Sequence, residues 1–194
     1  TYEPGSTFKI ITAAAGLEEG LVTTDHRGDF YCSGSEQVSS VTMNCWRHNN
    51  PHGSESLRDA LANSCNPAFI QLGTKIGAKT LYKYYRAFGL FNKTSPYFYG
   101  ESNSVFFPEN NINEFNVATM SFGQRFTITP IQLITAVSSI ANEGVLMQPR
   151  IVKEIRNTDT NSVTTVEPKE IRQVVSKETA DKLMDMLEYV VAEG

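Results

Sequence analysis

The stretch TPIQLITAVSSIANEG, residues 129–144, constrains the fold most, because it contains both ends of a helix and the apolar run between them. Thr129 can cap the first turn, and Pro130 suits the first helical position, where its missing N–H would have no partner anyway. Gly144 can end the helix. Similar start and stop signals recur along the chain, so the sequence predicts a mostly α class with minor β-structure.

Six further helices and a few strands are predicted from such signals. The first helix runs from about Ser6 to Glu19 and stops at Gly20. The others begin behind Ser54 or Ser56, at Asn66, in KTLYKYYRAFGL, behind Asn113 and at Ser176. We expect DFYCS to pair with VTMNCW, and PRIVKEIRN to form a hairpin with SVTTVEP around the turn TDTN. Residues 92–113 are expected to form a long loop.

Composition and charge exclude some classes of partner. The 194 residues are 40% hydrophobic and 20% charged, which is ordinary for one globular domain or two small ones. The net charge is −4 and no basic patch is present, so nucleic acid is not an expected partner. The apolar runs are too short to span a bilayer, so any anchor or export signal is expected outside this sequence.

The chain has three cysteines and three histidines: Cys32, Cys45, Cys65, His26, His48 and His52. They form no CxxC pair and no zinc pattern at the usual ligand spacing, so no metal site is expected. Cys32 and Cys45 flank SGSEQVSSVTMN, whose ends have strand character, and they are candidates for a disulfide across adjacent strands. Cys65 is expected to stay reduced. The alternative is that all three are small buried hydrophobic residues.

The heptapeptide EPGSTFK places Ser6 and Lys9 one helical turn apart, on the same face. A serine hydroxyl needs a base, and a lysine can serve if burial and the helix N-terminus lower its pKa. The N–H of Ser6 can also point at the oxyanion of an attacked carbonyl. The alternative is a simple helix cap, since Ser-x-x-Lys alone also occurs by chance.

A second candidate motif is Ser64-Cys65-Asn66, at a predicted junction of two helices. Ser64 could pass a proton between Lys9 and a leaving amine, and Asn66 could bind a substrate amide through its donor and acceptor. The alternative is again structural: Asn66 caps one helix and Ser64 ends another.

Together these segments resemble the transpeptidase domain of class B penicillin-binding proteins. The strings that carry the resemblance are YEPGSTFKIITAAAGLEEG, LANSCNPAFIQLG and NVATMSFGQRFTITPIQLITAVSSIANEGVLMQPRIV, in the expected order. YCSGS and NCWRHNNPHGSESL are similar to the sporulation and vegetative class B enzymes of Gram-positive bacteria.

The resemblance implies a D,D-transpeptidase in which Ser6 is acylated, Lys9 is the base and Ser64 relays the proton. It implies further that Asn66 binds the peptide or β-lactam amide. Gln124 and Trp46 are candidates to line the cleft, against the alternatives of a loop glutamine and a core or lid tryptophan.

The resemblance also implies partners and a location. No cofactor or metal is needed, and the expected ligands are peptidoglycan stem peptides and β-lactam antibiotics, with cell-wall synthesis proteins as further candidates. The expected location is the extracytoplasmic face of the bacterial membrane, with an anchor outside this chain. In that compartment a disulfide between Cys32 and Cys45 would persist.

One motif of the family is missing from the sequence. No Lys-Thr-Gly occurs, and the chain ends at Gly194, behind a stretch similar to the helix that precedes this motif in the family. We therefore expect residues 1–194 to be the helical part of one α/β transpeptidase domain, with most of the central sheet outside the sequence. The chain by itself is expected to be inactive.

Two other readings stay open. A β-lactam-sensing or non-catalytic binding module shares Ser-x-x-Lys, but sensors do not as a rule share the long stretch from SFGQ to ANEG. A serine β-lactamase needs a group that activates the deacylating water, and nothing in the sequence clearly supplies one.

Overall fold

The computed structural model describes residues 1–193. Within them lie seven α-helices: α1 (Lys9–Glu18), α2 (Leu57–Ala62), α3 (Asn66–Ile76), α4 (Ala78–Ala87), α5 (Glu114–Ser121), α6 (Pro130–Ala141) and α7 (Lys177–Glu193). Two 3₁₀ turns, Gly5–Phe8 and Glu109–Asn111, accompany them. None of the helices in this described part of the chain combines the length and apolarity needed to cross a membrane.

Eight short strands form four separate two-stranded antiparallel sheets within the same residues. They pair as β1 (Phe30–Cys32) with β4 (Gly53–Glu55), β2 (Ser35–Val38) with β3 (Val41–Asn44), β5 (Val145–Met147) with β8 (Glu170–Gln173), and β6 (Glu154–Arg156) with β7 (Val163–Thr165). The mostly α class with minor β-structure is confirmed.

Local capping chemistry explains where several helices begin. Thr129 and Gln132 form a capping box at the start of α6, with Pro130 in the first turn as predicted. Ser56 and Asp59 form a second capping box at α2. Asn113 caps α5 through the N–H of Asn116. These starts were predictable because each depends on residues within one turn.

Helix α1 packs against α2, α3, α4, α6 and α7, and its small residues allow this close approach. Ala13, Ala14 and Ala15 are completely buried. Helices α3 and α5 also cross closely, because a Cβ added at Gly73 would lie 2.4 Å from the Cβ of Ser121. Thr12 of α1 donates a hydrogen bond to the Ser121 carbonyl at 2.8 Å. Helices α1, α3 and α5 are therefore held together by contacts around Ser121.

An aromatic cluster supports the turn that carries Ser6. The ring of Phe8 is completely buried and lies 5.2 Å from Tyr85 and 4.7 Å from Phe126, in edge-to-face arrangements. Phe106 stacks on Phe126 at 4.8 Å. Such pairs stabilise a fold by about 0.5–1.5 kcal/mol each beyond their burial. Phe8 therefore anchors the turn between Ser6 and the first residue of α1.

Three sequence predictions need correction. The α-helix expected from Ser6 begins at Lys9, because residues Gly5–Phe8 form a 3₁₀ turn. Gly5, the first residue of this turn, has a φ of +59°. Asn66 does not cap α3. Cys65 occupies that position, and Asn66 is the first helical residue, with its side chain turned to Lys9.

The third correction concerns the strands around the cysteines. DFYCS and VTMNCW do not pair, because residues 35–44 close on themselves as the tight hairpin of β2 and β3. This leaves β1 to pair with β4. In contrast, the hairpin predicted around TDTN is confirmed: β6 pairs with β7, and Asn157 accepts hydrogen bonds from the N–H groups of Asp159 and Thr160. The long loop over residues 92–113 is also found, interrupted by the turn Glu109–Asn111.

Candidate active site

The side chain of Lys9 brings the two predicted motifs together. Lys9 lies at the start of α1 and is only 1% exposed. Its Nζ lies 3.2 Å from Ser6 Oγ and 3.0 Å from Ser64 Oγ. The same nitrogen lies 2.7 Å from the carbonyl oxygen of Ser64 and 2.7 Å from Asn66 Oδ1. Residues far apart in the sequence therefore converge on one amine.

Burial controls the protonation of this amine. Removal from water lowers the pKa of Lys9 from 10.5 to about 8, while Cys65, Cys45 and Glu55 act in the opposite direction. At that pKa roughly a tenth of the side chains are neutral at pH 7, far more than for a lysine in water. The site thus holds a lysine that can exist as a free base near neutral pH.

The hydrogen-bonding pattern is compatible with a neutral amine. An ammonium group has three hydrogens, whereas four oxygens lie within reach of Nζ. The two shortest contacts go to the Ser64 carbonyl and the Asn66 amide oxygen, which can only accept. A neutral amine can donate to both and turn its lone pair toward a serine hydroxyl. Lys9 can then accept a proton from Ser6 or Ser64.

Ser6 is exposed and stands on a turn that a neighbouring loop supports from behind. Gly5 donates a backbone hydrogen bond to the Gly123 carbonyl at 2.9 Å. Gly123 has a φ of +84°, and a Cβ there would lie 2.1 Å from the Gly5 oxygen, so only glycine fits. No local pattern predicts this role for Gly123, although it lies in the SFGQ portion of a string that carries the resemblance.

The loop that contains Gly123 makes a second contact that was not predicted from the sequence. The carboxylate of Glu3 accepts a hydrogen bond from the backbone N–H of Arg125 at 3.0 Å, and Tyr2 pairs with Ile128 through two backbone hydrogen bonds. Residues 123–128 therefore run alongside residues 2–5. No local pattern predicts such a contact, because its two sides are distant in the sequence.

Ser64 holds an unusual backbone conformation. It lies between α2 and α3 with a φ of +48°, a region that residues other than glycine rarely adopt. This conformation lets its carbonyl and its hydroxyl both face Lys9 Nζ. Strain of this kind costs on the order of 1–3 kcal/mol and needs support from its surroundings.

The predicted substrate-contacting residues lie in two places. Asn66 and Gln124 line one groove of about 340 Å³, together with residues of β3 and α5 such as Met43 and Thr119. Trp46 does not line this groove. It is 65% exposed, and its indole N–H donates to the Asn63 carbonyl at 2.8 Å, next to Ser64 in the chain.

The three cysteines are buried free thiols. The strand pairing on which the Cys32–Cys45 disulfide was predicted is wrong, although the disulfide itself stays a prediction. No metal site was expected from the sequence, but the structure brings the ligand atoms of Cys32, Cys45, His52 and Cys65 within 4.8 Å of one another. The spacing rules missed this set because it is assembled by tertiary packing, not by a short local motif.

The fold and the Ser6–Lys9–Ser64 arrangement have the form of a serine acyl-transfer site on a helical scaffold. Residues 1–194 match the family model described as "Penicillin binding protein transpeptidase domain", and the chain belongs to this family. The resemblance to class B penicillin-binding proteins is thereby confirmed.

Relatives and solved structures agree with this assignment. Stage V sporulation protein D of Bacillus subtilis (strain 168) is 42% identical over 195 residues, which cover 100% of this chain and 30% of that protein. Peptidoglycan D,D-transpeptidase PbpA of Mycolicibacterium smegmatis is 32% identical, over 96% of this chain and 38% of that protein. The chain thus spans about a third of the length of these curated relatives.

Two solved structures from Mycobacterium tuberculosis are similar. Penicillin-binding protein 3 complexed with aztreonam has a TM-score of 0.87 and 32% identity, over 98% of this chain and 42% of that chain. The imipenem acyl-enzyme complex of penicillin-binding protein A has a TM-score of 0.86 and 30% identity, over 98% of this chain and 44% of that chain.

Proposed function

We propose that the protein containing this chain is a D,D-transpeptidase that cross-links peptidoglycan stem peptides through an acyl-enzyme on Ser6. The observation that carries the proposal is the buried Lys9 amine, with a pKa of about 8, placed 3.2 Å from Ser6 Oγ. The name of the relative PbpA, a peptidoglycan D,D-transpeptidase, and the imipenem acyl-enzyme of one similar structure support it. Residues 1–194 are proposed to be part of one transpeptidase domain.

Acylation begins with a proton transfer. Neutral Lys9 takes the hydroxyl proton of Ser6 while Oγ bonds to the carbonyl carbon of a D-Ala-D-Ala stem peptide. The N–H of Ser6 donates to the developing oxyanion. Ser64 then gives its hydroxyl proton to the leaving nitrogen and recovers one from Lys9, since its Oγ lies 3.0 Å from Nζ. The C–N bond breaks, D-Ala leaves, and Lys9 is neutral again.

Transfer to the second peptide reverses these steps. An amine of a neighbouring stem attacks the ester carbonyl and loses a proton through Ser64 to Lys9. Protonated Lys9 returns that proton to Ser6 Oγ as the ester bond breaks. An amide bond has then replaced the ester, and the free serine is restored.

The groove of Asn66 and Gln124 is proposed to bind the substrate peptide. The Asn66 side chain can donate to a substrate carbonyl through its Nδ2 while its Oδ1 stays on Lys9. β-Lactams are proposed to acylate the same serine, because their strained amide occupies the place of the peptide bond. Trp46 is proposed to act at the rim of the site.

The location and further partners are also proposals. The similarity to PbpA, a peptidoglycan D,D-transpeptidase, supports action on the extracytoplasmic side of the membrane, with an anchor in a part of the protein outside this chain. Cell-wall synthesis proteins are candidate partners of the intact protein.

A turnover assay separates this proposal from its alternatives. The intact protein is incubated with pentapeptide stems and an acceptor amine, and released D-Ala and cross-linked product are measured. We expect both products, and neither from Ser6→Ala, whereas Ser40→Ala, at another exposed serine, should behave like the parent protein. A stable penicillin adduct without any cross-linking would favour a sensing module, and steady hydrolysis of a chromogenic cephalosporin would favour a β-lactamase.

A further inference from the structure

We propose that Cys32, Cys45, His52 and Cys65 form a structural zinc site directly behind the active site. Their ligand atoms all lie within 4.8 Å of one another. The three thiols are buried, and the side chain of His52 is only 2% exposed. Three thiols and one imidazole form one of the ligand sets of structural zinc sites.

The distances between these atoms fit a tetrahedral site after a small contraction. Bonds of about 2.3 Å from zinc to sulfur and about 2.0–2.1 Å to nitrogen place a sulfur and a nitrogen ligand about 3.6 Å apart. The Nδ1 atom of His52 lies 3.6 Å from Cys45 Sγ. Two sulfur ligands would lie about 3.8 Å apart, so the most distant atoms of the set need to move by about 1 Å. Nδ1 is therefore the histidine ligand atom.

The four ligands come from separate segments. Cys32 ends β1, Cys45 follows β3, His52 precedes β4, and Cys65 stands immediately before α3. A metal ion would therefore connect both small sheets to the start of α3. Four protein ligands leave no open position, which is typical of a structural site and not of a catalytic one.

The segment that supplies three of the ligands has little apolar core of its own. Between residues 30 and 55 the buried hydrophobic residues are Phe30, Cys32, Val38 and Cys45. Its strands have only three or four residues each. Small elements with so little apolar burial commonly depend on a metal or a disulfide for stability. Two of the four buried residues are proposed ligands, so a metal can supply what apolar burial does not.

Unpaired polar atoms are a further observation at this site. Within the described residues, His52 Nε2 and Glu55 Oε2 are buried without a hydrogen-bond partner. Unpaired buried polar atoms are rare in native proteins. Glu55 Oε1 lies 3.9 Å from His52 Nδ1 and accepts a hydrogen bond from Asn63. With Nδ1 on zinc, Nε2 would carry the ring hydrogen and Glu55 would lie on the metal side of the imidazole, so these atoms show that the surroundings of His52 are polar and are not themselves metal ligands.

The site has a direct connection to catalysis, because Cys65 lies between Ser64 and Asn66. Both neighbours contact Lys9 Nζ, and Ser64 holds a positive φ that needs support. A bond from Cys65 Sγ to zinc would fix this junction in position. The ligands are thus positioning residues for Ser64 and Asn66, and they do not touch the substrate.

A disulfide is the competing use of the same thiols. It would join two of the cysteines, leave the third unpaired, and give the nearby imidazole no role. Zinc would use all four side chains. A cysteine sulfur that is bonded to another sulfur cannot also bind zinc as a thiolate. Measuring the metal content and the disulfides of the same protein therefore distinguishes the two states.

The test measures metal in the intact protein purified from zinc-supplemented medium without chelators or reductants. Elemental mass spectrometry should find about one zinc per chain. Cobalt added in place of zinc should give the thiolate charge-transfer and tetrahedral d–d absorption of a sulfur-rich site. His52→Ala should lose most of the metal, and His52→Cys should retain it, since four thiolates also bind zinc. His48→Ala, at an exposed histidine nearby, is the matched control and should keep the metal.

The effect of the metal on acylation and on stability is measured separately. Chelation of the metal should lower the rate of penicillin acylation and the melting temperature of the parent protein, and zinc should restore both. Metal content does not depend on acylation, so failure of this inference is distinguishable from failure of the proposed transpeptidase function. Correctly folded, fully acylating protein without zinc would overturn the proposal. A disulfide among these cysteines, or equal metal loss in His48→Ala, would overturn it as well.

Discussion

Lys9 combines two demands that usually conflict in one residue. Its burial removes water and lowers its pKa, while four oxygens keep its polar atom satisfied. A buried amine without such partners would cost several kcal/mol. The serine and asparagine oxygens therefore make the buried lysine tolerable, and burial makes it a usable base.

The acylation rate should rise with pH. The base must be neutral, and Lys9 loses its proton with a pKa of about 8. Below that value the rate should fall about tenfold per pH unit, and above it the rate should level off. Stopped-flow acylation of the intact protein by a fluorescent penicillin between pH 6 and 10 measures the profile. A rate independent of pH across this range would show that Lys9 is not the base.

Replacing Lys9 with arginine should nearly abolish acylation. Arginine keeps its charge at all relevant pH values, so it cannot accept the serine proton. The expected loss is about 10²–10⁴-fold, the range for a removed general base. Lys75→Arg is the matched control, because Lys75 is an exposed lysine whose amine donates to the Leu21 carbonyl, away from Ser6. Near-normal acylation by Lys9→Arg would refute the role of Lys9.

At the scale of elements, the active site depends on contacts between segments distant in the sequence. The turn carrying Ser6 is supported by the loop around Gly123, and the Ser64 junction is supported by the packing of α3. The capping boxes of α2 and α6 could be predicted, because their donors and acceptors lie within one turn. The pairing of β1 with β4 could not, because short strands carry a weak pattern and the hairpin of β2 and β3 competes for the same partners.

Gly123→Ala should impair acylation strongly. The added Cβ would lie 2.1 Å from the Gly5 oxygen and must displace the turn that carries Ser6. Gly100→Ala is a matched control, since Gly100 has a similar φ of +82° with no heavy atom within 4 Å of the added Cβ. The control should lose only about 1 kcal/mol of stability from backbone strain. Melting temperatures and penicillin acylation rates of both variants test this, and equal acylation rates would contradict it.

At the scale of the whole molecule, the sequence predicted the family, the helices and the convergence of its two motifs. It did not predict the set of Cys32, Cys45, His52 and Cys65, because no two of these residues lie at the spacing of a local metal motif. It also missed Gly123, whose role depends on the approach of Gly5 from the other end of the chain. The family's motifs and the local helix signals could be predicted from the sequence, whereas these two tertiary contacts could not.

The 194-residue chain alone should acylate much more slowly than the intact protein. We propose that a second oxyanion donor, besides the N–H of Ser6, lies on the strand that carries Lys-Thr-Gly in the family, a motif that this sequence does not contain. Loss of one such donor costs about 10²–10³-fold in rate. Rates for the chain and the intact protein, measured with the same labelled penicillin, check this prediction. Equal rates would mean that residues 1–194 already hold every donor that acylation needs.

The most direct test of the account is the position of the penicillin adduct. The intact protein is treated with penicillin, digested, and mapped by tandem mass spectrometry, with Ser6→Ala treated in parallel. We predict one adduct, on the peptide containing Ser6 and on that serine, and none in Ser6→Ala. An adduct on another serine, or an adduct that persists in Ser6→Ala, would contradict the assignment of Ser6 as the nucleophile.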